Sequence, residues 1–248
     1  MLQSNHFDTL PLAGYPIVSI DAASLSATLQ DRLTASKKTV LLFANTNFVL
    51  KCAPMLSWLC SEDVVIANDG IGLDIAALIV HGRRYRENLN GTDFSPYFLK
   101  SCVDQHKVFL LGGKPGVAEK ACIVIEREFG HQVTGCLDGY SKISPTVMRE
   151  AINRSGAEII LVAMGNPLQE EWIRTNMNLL DAKLFIVVGA LLDFLSGNAQ
   201  RAPRWVQQIH CEWLYRLCRE PKRLIRRYTL DVVSFLLACL NYRSQAKT

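Results

Sequence analysis

Six stretches of this 248-residue chain place glycine, asparagine or aspartate directly after an apolar run, and the backbone amides of such turns can bind anions. The stretches read FANTN (43–47), ANDGIG (67–72), LLGGKPG (110–116), LDGYS (137–141), AMGNPLQE (163–170) and VGALLDFLSG (188–197). Bare backbone amides beside helix N-termini bind phosphate, and glycine lets a ligand approach the backbone. Any one stretch is equally typical of an ordinary turn, but the six together favour a nucleotide or sugar-phosphate site. None matches the standard dinucleotide or P-loop motif.

The elements that must position these turns predict an α/β fold. The apolar runs typical of strands buried on both faces are TVLLF (39–43), DVVIA (63–67), KVFLLGG (107–113), EIILVAMG (158–165), KLFIVVGA (183–190) and, more weakly, HQVTGCL (131–137). Segments with helical spacing lie near 71–81, 93–105, 115–129, 145–155 and 168–178. The alternation indicates a Rossmann-like, mostly parallel sheet with helices on both faces. In such sheets ligands bind beyond the carboxyl ends of the strands.

The composition is that of a folded protein, with 49% hydrophobic and 20% charged residues. The N-terminus lacks the pattern of a signal peptide, and the longest apolar runs, such as VVSFLLACL (232–240), are about half the length of a bilayer span. We therefore expect a cytoplasmic protein that can contact a membrane.

Its eight cysteines form no C-x-x-C pair and have mostly apolar neighbours, which favours buried free thiols over disulfides or a metal site.

Positive charge is concentrated near the C-terminus. Residues 201–227 contain eight Lys or Arg against two acids, and five of the arginines fall within roughly 100° of one another on a helix. Apolar residues such as Leu217 and Leu224 lie on the other side, which is the pattern of a helix on an anionic membrane. A solvated basic face on a packing helix is the alternative. Nucleic-acid binding is disfavoured, because no aromatic interleaving or known module accompanies the arginines.

Several motifs occur in an order that is informative as a set: ANDGIGLDIAAL, ENLNGTDF, LLGGKPG, LDGY, AMGNPLQEEW, VGALLDFLSG, RAPRW and EWLYRLCREPKRLIRR. From about residue 40 to about residue 230 the chain thereby resembles the WecG/TagA/CpsF family of bacterial glycosyltransferases, glycosyltransferase family 26. The resemblance implies an inverting enzyme that moves a sugar from a UDP-sugar to a polyprenyl-diphosphate-linked sugar, with no metal ion or other cofactor. It also implies a catalytic α/β domain (1–200) and a helical, membrane-associating appendage (201–248) that covers the active site.

Asp69, in the motif NDGIG, matches the proposed general base of that family. The chemistry requires such a group, because an acceptor hydroxyl must lose its proton as it attacks the anomeric carbon. Aspartate followed by glycine before an apolar run is also a common helix start, so a helix N-cap is the alternative role for Asp69. Its neighbours Asn68 and Gly70 are expected to contact the substrate.

The stretch GNPLQE matches a donor-site motif of the family, in which we assign a functional role to Gln169. Gly165 allows a phosphate or ribose to approach the backbone, and Asn166 and Gln169 can hydrogen-bond sugar hydroxyls. Pro167 is suited to the start of a helix. For the glutamates at 170–171 the helix dipole alone is a sufficient explanation, so we expect them to be capping residues.

The remaining substrate-binding residues are assigned through the family match. Asn45 corresponds to a family asparagine at the first strand exit. The nucleotide side of the site is expected to be lined by Gly112, Gly113, Asp138, Gly139 and Tyr140. The Tyr140 ring either stacks on uracil or is simply packed.

Two positions depart from the family pattern. Phe43 stands where many relatives have threonine, and Asn88, still expected to contact the substrate, stands where many have an arginine that could balance diphosphate charge. Arg83, Arg84 or Arg86 is a candidate to replace that arginine. Its absence disfavours a uronic-acid donor, whose carboxylate would need a bidentate partner. NDGIG with ENLNG looks more like the branch that adds glucose in xanthan-type exopolysaccharide assembly.

Arginines in the family's appendage are needed for activity, and Arg216, Arg223 and Arg226 match them by motif and spacing. They would hold the leaving diphosphate in place of a metal. The resulting expectation is a peripheral glycosyltransferase on the cytoplasmic face of the bacterial inner membrane, with UDP-glucose as donor, no nucleic-acid partner, and oligomers as in relatives. The alternatives are an N-acetylmannosamine or N-acetylmannosaminuronic acid transferase of the same family, or a non-catalytic protein that binds nucleotide-sugar or lipid phosphate.

Overall fold

The computed structural model describes residues 7–139, 143–203, 206 and 212–245, except for the side chains of residues 216, 223, 227 and 243–245. This part of the chain contains a seven-stranded sheet in the order β1-β3-β2-β7-β6-β4-β5, and every neighbouring pair of strands is parallel. The strands are β1 (Ile17–Val18), β2 (Thr39–Ala44), β3 (Val64–Asn68), β4 (Lys107–Gly112), β5 (Gln132–Leu137), β6 (Ile159–Ala163) and β7 (Leu184–Val187). The predicted Rossmann-like α/β fold is thus confirmed.

Helices cover both faces of the sheet. They are α1 (Ala22–Thr34), α2 (Thr46–Lys51), α3 (Leu56–Leu59), α4 (Ile71–His81), α5 (Gly91–Ser101), α6 (Val117–Phe129), α7 (Pro145–Ser155), α8 (Leu168–Asn176), α9 (Leu191–Leu195), α10 (Glu212–Arg219), α11 (Pro221–Tyr228) and α12 (Leu230–Gln245). Short 3-10 turns span Ala53–Met55 and Met177–Leu179. No described helix combines the length and the apolar character that a transmembrane span requires.

The unbroken apolar sequence of the central strands results from burial on both faces. Every residue of β2, β3 and β7 is buried. Because side chains alternate along a strand, Leu42 and Ile66 enter the core on one face of the sheet, whereas Leu41 and Ile186 enter the core on the other. The two cores hold the strands in one register, so the loops at their carboxyl ends are placed at one edge.

The sequence pattern predicted some element boundaries and missed others. α4 and α7 have the predicted bounds, but α5 begins at Gly91, earlier than predicted, because Asn90 caps it by accepting hydrogen bonds from the amides of Thr92 and Asp93. The two-residue strand β1 and the helix α1, capped by Asp21, were not predicted. A two-residue strand is too short to show an alternation of polar and apolar residues.

The C-terminal helix α12 packs against α2 and α4 on the same face of the sheet. Its residues Phe235 and Cys239 are buried in the core that contains Leu42 and Ile66. The C-terminal part of the chain is therefore joined to the α/β fold by apolar packing. The division of the chain at residue 200 stays a prediction.

Candidate active site

A cleft of about 2040 Å³ opens at the carboxyl ends of the strands. It lies near the centre of the sheet, where β7 is inserted between β2 and β6 and loops from both halves of the fold meet. All six of the glycine- and asparagine-rich strand exits contribute residues to its wall, and so do α10 and α11. The parallel arrangement thereby brings together the turns that are separate in the sequence.

Asp69 lies on the wall of this cleft, directly after β3. Its backbone amide donates to the carbonyl oxygen of Ala44 at 2.7 Å, and its Oδ2 accepts from Nδ2 of Asn45 at 3.2 Å. The N-cap of α4 is Gly70, and no side chain caps that helix. Asp69 is therefore not the N-cap of α4. Its carboxylate is held at the end of the sheet by a neutral donor, where it can accept a proton from a bound hydroxyl.

Two asparagines of the cleft wall fix the loops around Asp69. Asn45 accepts from the amide of Phe48 at 3.1 Å and thus caps α2, while its amide group donates to Asp69. Asn88 accepts from the amide of Gly70 at 2.8 Å. Asn45 therefore contacts the Asp69 carboxylate directly, and Asn88 holds the turn that carries Asp69.

Asn68 lies beneath the cleft and is not among the described residues of its wall. It ends β3 in register with Ala44 and is fully buried. Neither polar atom of its side chain has a hydrogen-bond partner within the described residues. An unsatisfied buried amide is costly, on the order of 1–3 kcal/mol, so the position is unusual. A direct substrate contact from Asn68 stays a prediction.

The turn after β6 is organised by a buried carboxylate. Gln169 accepts from the amide of Gly165 at 3.0 Å and donates from Nε2 to Oε1 of Glu170 at 2.9 Å. The Asn166 side chain donates to the same Glu170 oxygen. Pro167 occupies the N-cap position of α8, so the helix begins directly after it. The turn and the first residues of the helix thus form one hydrogen-bonded unit.

Glu170 has a larger role in this unit than the sequence suggested. Its side chain is fully buried, and its second carboxylate oxygen has no hydrogen-bond partner within the described residues. The helix dipole is therefore not a sufficient explanation for this glutamate. Burial raises the pKa of Glu170 above the usual value for glutamate, and the hydrogen bonds from Gln169 and Asn166 offset only part of that effect.

The glycines near the ends of β4 and β5 meet needs of packing. Gly112 has a φ of 123°, and a Cβ atom there would overlap the carbonyl oxygen of Ala163. The amide of Gly113 donates to that oxygen at 3.0 Å, and the amide of Gly139 donates to the carbonyl of Gly113 at 3.0 Å. Gly113 and Gly139 line the cleft, but Gly112 is not among its described wall residues. The expectation of bare amides is wrong at Gly113 and Gly139, where a Cβ atom would lie 2.9 Å from the Val117 side chain and 3.4 Å from the Cα atom of Gly112, respectively.

Arg201 connects the α/β fold to the helices over the cleft. Its guanidinium contacts both carboxylate oxygens of Asp93 on α5, one of them at 2.8 Å, and also Oε1 of Glu212 on α10 at 3.1 Å. Burial acts to raise the pKa of Asp93, but hydrogen bonds from Arg201 and Asn90 outweigh it and hold that pKa below its usual value. Hydrogen bonding to Asp93 in turn raises the pKa of Arg201, so the guanidinium stays charged.

Further cations on the described wall of the cleft are Lys51, Lys114, Arg219 and Arg226. Arg219 donates to the hydroxyl of Tyr215 at 2.9 Å and lies over its ring, while Arg226 is exposed and 3.9 Å from Asp231. Among these cations the sequence assigned a site role only to Arg226. Lys114 directly follows a glycine pair at a strand exit, and that position could have indicated a phosphate contact.

The structure also places Phe43, which stands where threonine was expected, and the three arginines that were candidates to replace the arginine missing at position 88. Phe43 lines the cleft and packs against Phe94 at a ring distance of 6.0 Å. Arg83 pairs with Asp8 at 3.0 Å and Arg86 with Asp21 at 3.3 Å, both on the exposed surface. Neither these two arginines nor Arg84 is among the described residues of the cleft wall, so none replaces the arginine absent at position 88 in this arrangement.

The structure gives little or no information on the remaining predicted site residues. Asp138 is half-buried after β5 and is not among the described residues of the cleft wall. Tyr140 and the side chains of Arg216 and Arg223 lie outside the described residues. Their assignments stay predictions.

The described residues include no group of three His, Cys, Asp or Glu side chains arranged to hold a metal ion. The charged groups of the cleft wall are instead spread around a wide space whose floor is the sheet. In a comparison with protein families, residues 10–248 match the model of the glycosyl transferase WecG/TagA/CpsF family. The match includes both the α/β fold and the C-terminal helices.

Proposed function

The chain belongs to the WecG/TagA/CpsF family of glycosyltransferases, and from this premise we propose that it transfers a hexose from a UDP-sugar to a polyprenyl-diphosphate-linked sugar with inversion at the anomeric carbon. Glucose is the donor sugar that the motifs NDGIG and ENLNG favour, which corresponds to a role in exopolysaccharide assembly. The reaction is proposed to proceed without a metal ion.

The observation that carries this proposal is the placement of Asp69 at the end of β3. In the proposed step the acceptor hydroxyl gives its proton to the Asp69 carboxylate while its oxygen bonds to the anomeric carbon. The bond from that carbon to the donor phosphate breaks, and UDP leaves with the electron pair. Asn45 orients the carboxylate without neutralising it, because its donor is an uncharged amide.

The donor is proposed to occupy the side of the cleft formed by β4, β5 and β6. Gly113 and Gly139 line that side of the cleft, and the turn fixed by Glu170 presents Asn166 and Gln169 at the wall. Each amide atom of Gln169 has one partner in the protein, and each can form one further hydrogen bond, because the oxygen has a second lone pair and the nitrogen a second hydrogen.

Diphosphate charge is proposed to be balanced from the C-terminal helices. Arg226 lies on the cleft wall, and Arg216 and Arg223 belong to the same pair of helices, α10 and α11. Arg219 is a further candidate for this role, because it too lies on the wall. Fixed cations at a leaving diphosphate stabilise the charge that develops in the transition state.

The protein is also proposed to bind the cytoplasmic face of the inner membrane through the basic helices α10 and α11. A lipid-linked acceptor would be found at that face. Trp213 and Ile225, on the same two helices, are exposed apolar side chains. Cosedimentation with anionic and with zwitterionic vesicles tests this binding, which should require the anionic lipid and weaken as salt is added. Binding that ignores both lipid charge and salt would contradict an electrostatic contact. We retain oligomer formation as part of the proposal.

Release of UDP from a panel of UDP-sugars, with a short-chain prenyl-diphosphate-glucose acceptor and EDTA present, tests the function. Turnover with UDP-glucose would support a metal-independent glucosyltransferase. Turnover only with an N-acetylmannosamine or N-acetylmannosaminuronic acid donor would assign the chain to another branch of the family. Binding of UDP-sugar with no turnover on any lipid-linked acceptor would favour the non-catalytic alternative.

A further inference from the structure

One face of α4 is apolar and exposed, although the helix is packed against the sheet on its other side. Ile71, Ile75, Leu78 and Ile79 are each between 42% and 47% exposed. At about 100° per residue these four side chains lie within roughly 100° of one another, opposite the buried residues Leu73, Ala76 and Ala77. We call these four residues the α4 stripe. A stripe of adjacent large apolar residues on the surface indicates a binding surface.

The α4 stripe is continuous with the candidate active site. Its first two members, Ile71 and Ile75, line the cleft, and Ile71 is only two residues from Asp69. Leu78 and Ile79 extend the stripe along the helix beyond the described wall of the cleft. From Ile71 to Ile79 the helix rises by about 12 Å. The stripe therefore forms an apolar path from the proposed base to the outside of the molecule.

We infer that the α4 stripe binds the isoprenoid chain of the lipid-linked acceptor. The inference rests on the proposed function, in which the acceptor hydroxyl lies at Asp69. A polyprenyl chain attached to that acceptor must leave the cleft, and a path lined by isoleucine and leucine buries its apolar surface while the sugar stays at the carboxylate.

Because the α4 stripe is continuous with the cleft, the isoprenoid chain of the acceptor is favoured over a second copy of the protein or the bilayer as the group that binds there. A second copy of the chain or the bilayer could cover Leu78 and Ile79 without reaching Ile71 and Ile75, the two stripe residues that line the cleft. An acceptor chain that starts at the reaction site must use them. Binding along the stripe would also make affinity depend on chain length, because each added isoprene unit buries more apolar surface.

The test is a calorimetric titration of the full chain with farnesyl diphosphate and with dimethylallyl diphosphate, which share the diphosphate and differ in isoprenoid length. We expect the wild type to bind the farnesyl compound at least about tenfold more tightly. Ile79→Gln should reduce that preference several-fold. The matched control is Ile123→Gln on α6, since Ile123 is 63% exposed and lies outside the described wall of the cleft. It should behave as the wild type does.

Equal affinity of the wild type for the two compounds, or a preference that Ile79→Gln leaves unchanged, would overturn the inference. A change in sedimentation of Ile79→Gln with the preference retained would assign the stripe to a second copy. Weaker binding to acceptor-free vesicles with the preference retained would assign it to the bilayer. The titrations contain no donor sugar and require no turnover, so failure of this inference is distinguishable from failure of the proposed transferase activity.

Discussion

The position of the Asp69 carboxylate is the residue-scale feature that the fold controls most closely. Asn45 contacts it from the end of β2, and Asn88 holds the following residue, Gly70. Both of these contacts come from uncharged amides, one to the carboxylate itself and one to the turn that carries it. A group held in this way is ready to accept a proton when the acceptor binds.

Asp69→Asn should lower kcat by about a hundredfold or more, because asparagine keeps the shape of the side chain and cannot accept the proton. The Kd for UDP should stay within about twofold of the wild-type value, since the donor is proposed to bind on the other side of the cleft. Steady-state kinetics and calorimetry measure the two quantities. Asp31→Asn, at an exposed position of α1, is the control for loss of one carboxylate. A modest loss of activity with folding intact would remove the base assignment.

Glu170 provides a residue-scale prediction about pH. Its pKa is raised by burial, so the folded protein binds this proton more tightly than the unfolded chain does. The stability that results is fully present below the unfolded pKa of glutamate and is lost as pH rises through the folded value. Glu170→Gln keeps an acceptor oxygen for Gln169 and Asn166 and cannot ionise. We therefore expect the Tm of the wild type to fall relative to that of Glu170→Gln as pH rises toward neutrality.

Glu171→Gln is the control for the pH prediction, because Glu171 is the exposed neighbour in the same helical turn. Its Tm should follow that of the wild type over the same range. A Tm difference between Glu170→Gln and the wild type that does not change with pH would show that the buried carboxyl does not titrate in that range.

At the scale of elements, the sequence was informative where one physical cause sets the pattern. Burial on both faces makes β2 and β7 continuous apolar runs, and packing on one face sets the spacing of the apolar residues in α4. The two strands and the helix were therefore predicted. The edge strand β1 was not predicted, because two residues carry no periodicity.

The candidate site was predictable only in part, for a related reason. Parallel strands require their exits to meet at one edge, so a cleft that includes Asp69 and Gln169 followed from the strand assignments. The contacts within the cleft depend on side-chain directions between distant segments. The burial of Glu170 and the bridge from Arg201 to Asp93 therefore became visible only in the structure.

The Arg201 contacts provide a prediction for α10. Arg201→Gln removes the cation shared by Asp93 and Glu212, and should increase hydrogen exchange in α10 several-fold because the helix loses its tie to α5. The KM for acceptor should rise, since α10 forms part of the cleft wall. Adding Glu212→Gln should have little further effect on exchange, because the two side chains share one contact. Hydrogen exchange with mass spectrometry and steady-state kinetics measure these effects.

The control for this cycle is Arg154→Gln, which removes an exposed ion pair with Glu150 on α7. Such pairs contribute little, so exchange in α10 and the acceptor KM should not change. Additive effects of Arg201→Gln and Glu212→Gln on α10 exchange would instead indicate that the two residues act through separate contacts.

At the scale of the whole molecule, the C-terminal helices contact both the cleft and the core of the α/β fold. α10, α11 and the first turn of α12 form part of the cleft wall, whereas Phe235 and Cys239 of α12 are buried in the core, where the helix packs against α2 and α4. The packing of α12 fixes the end of the basic segment relative to the sheet. The stability of the core and the position of α10 and α11 at the cleft are therefore expected to be linked.

Phe235→Ala tests this link through the stability of the whole chain. Phe235 is fully buried among residues of the α/β core, so its removal should cost about 3–5 kcal/mol in the free energy of unfolding. Urea denaturation should show one transition that shifts as a whole, because the side chain belongs to a core shared with the sheet. Leu237→Ala, on the exposed side of the same helix, should change stability much less. A separate early transition in Phe235→Ala, with the main transition unchanged, would mean that the C-terminal segment folds as an independent unit.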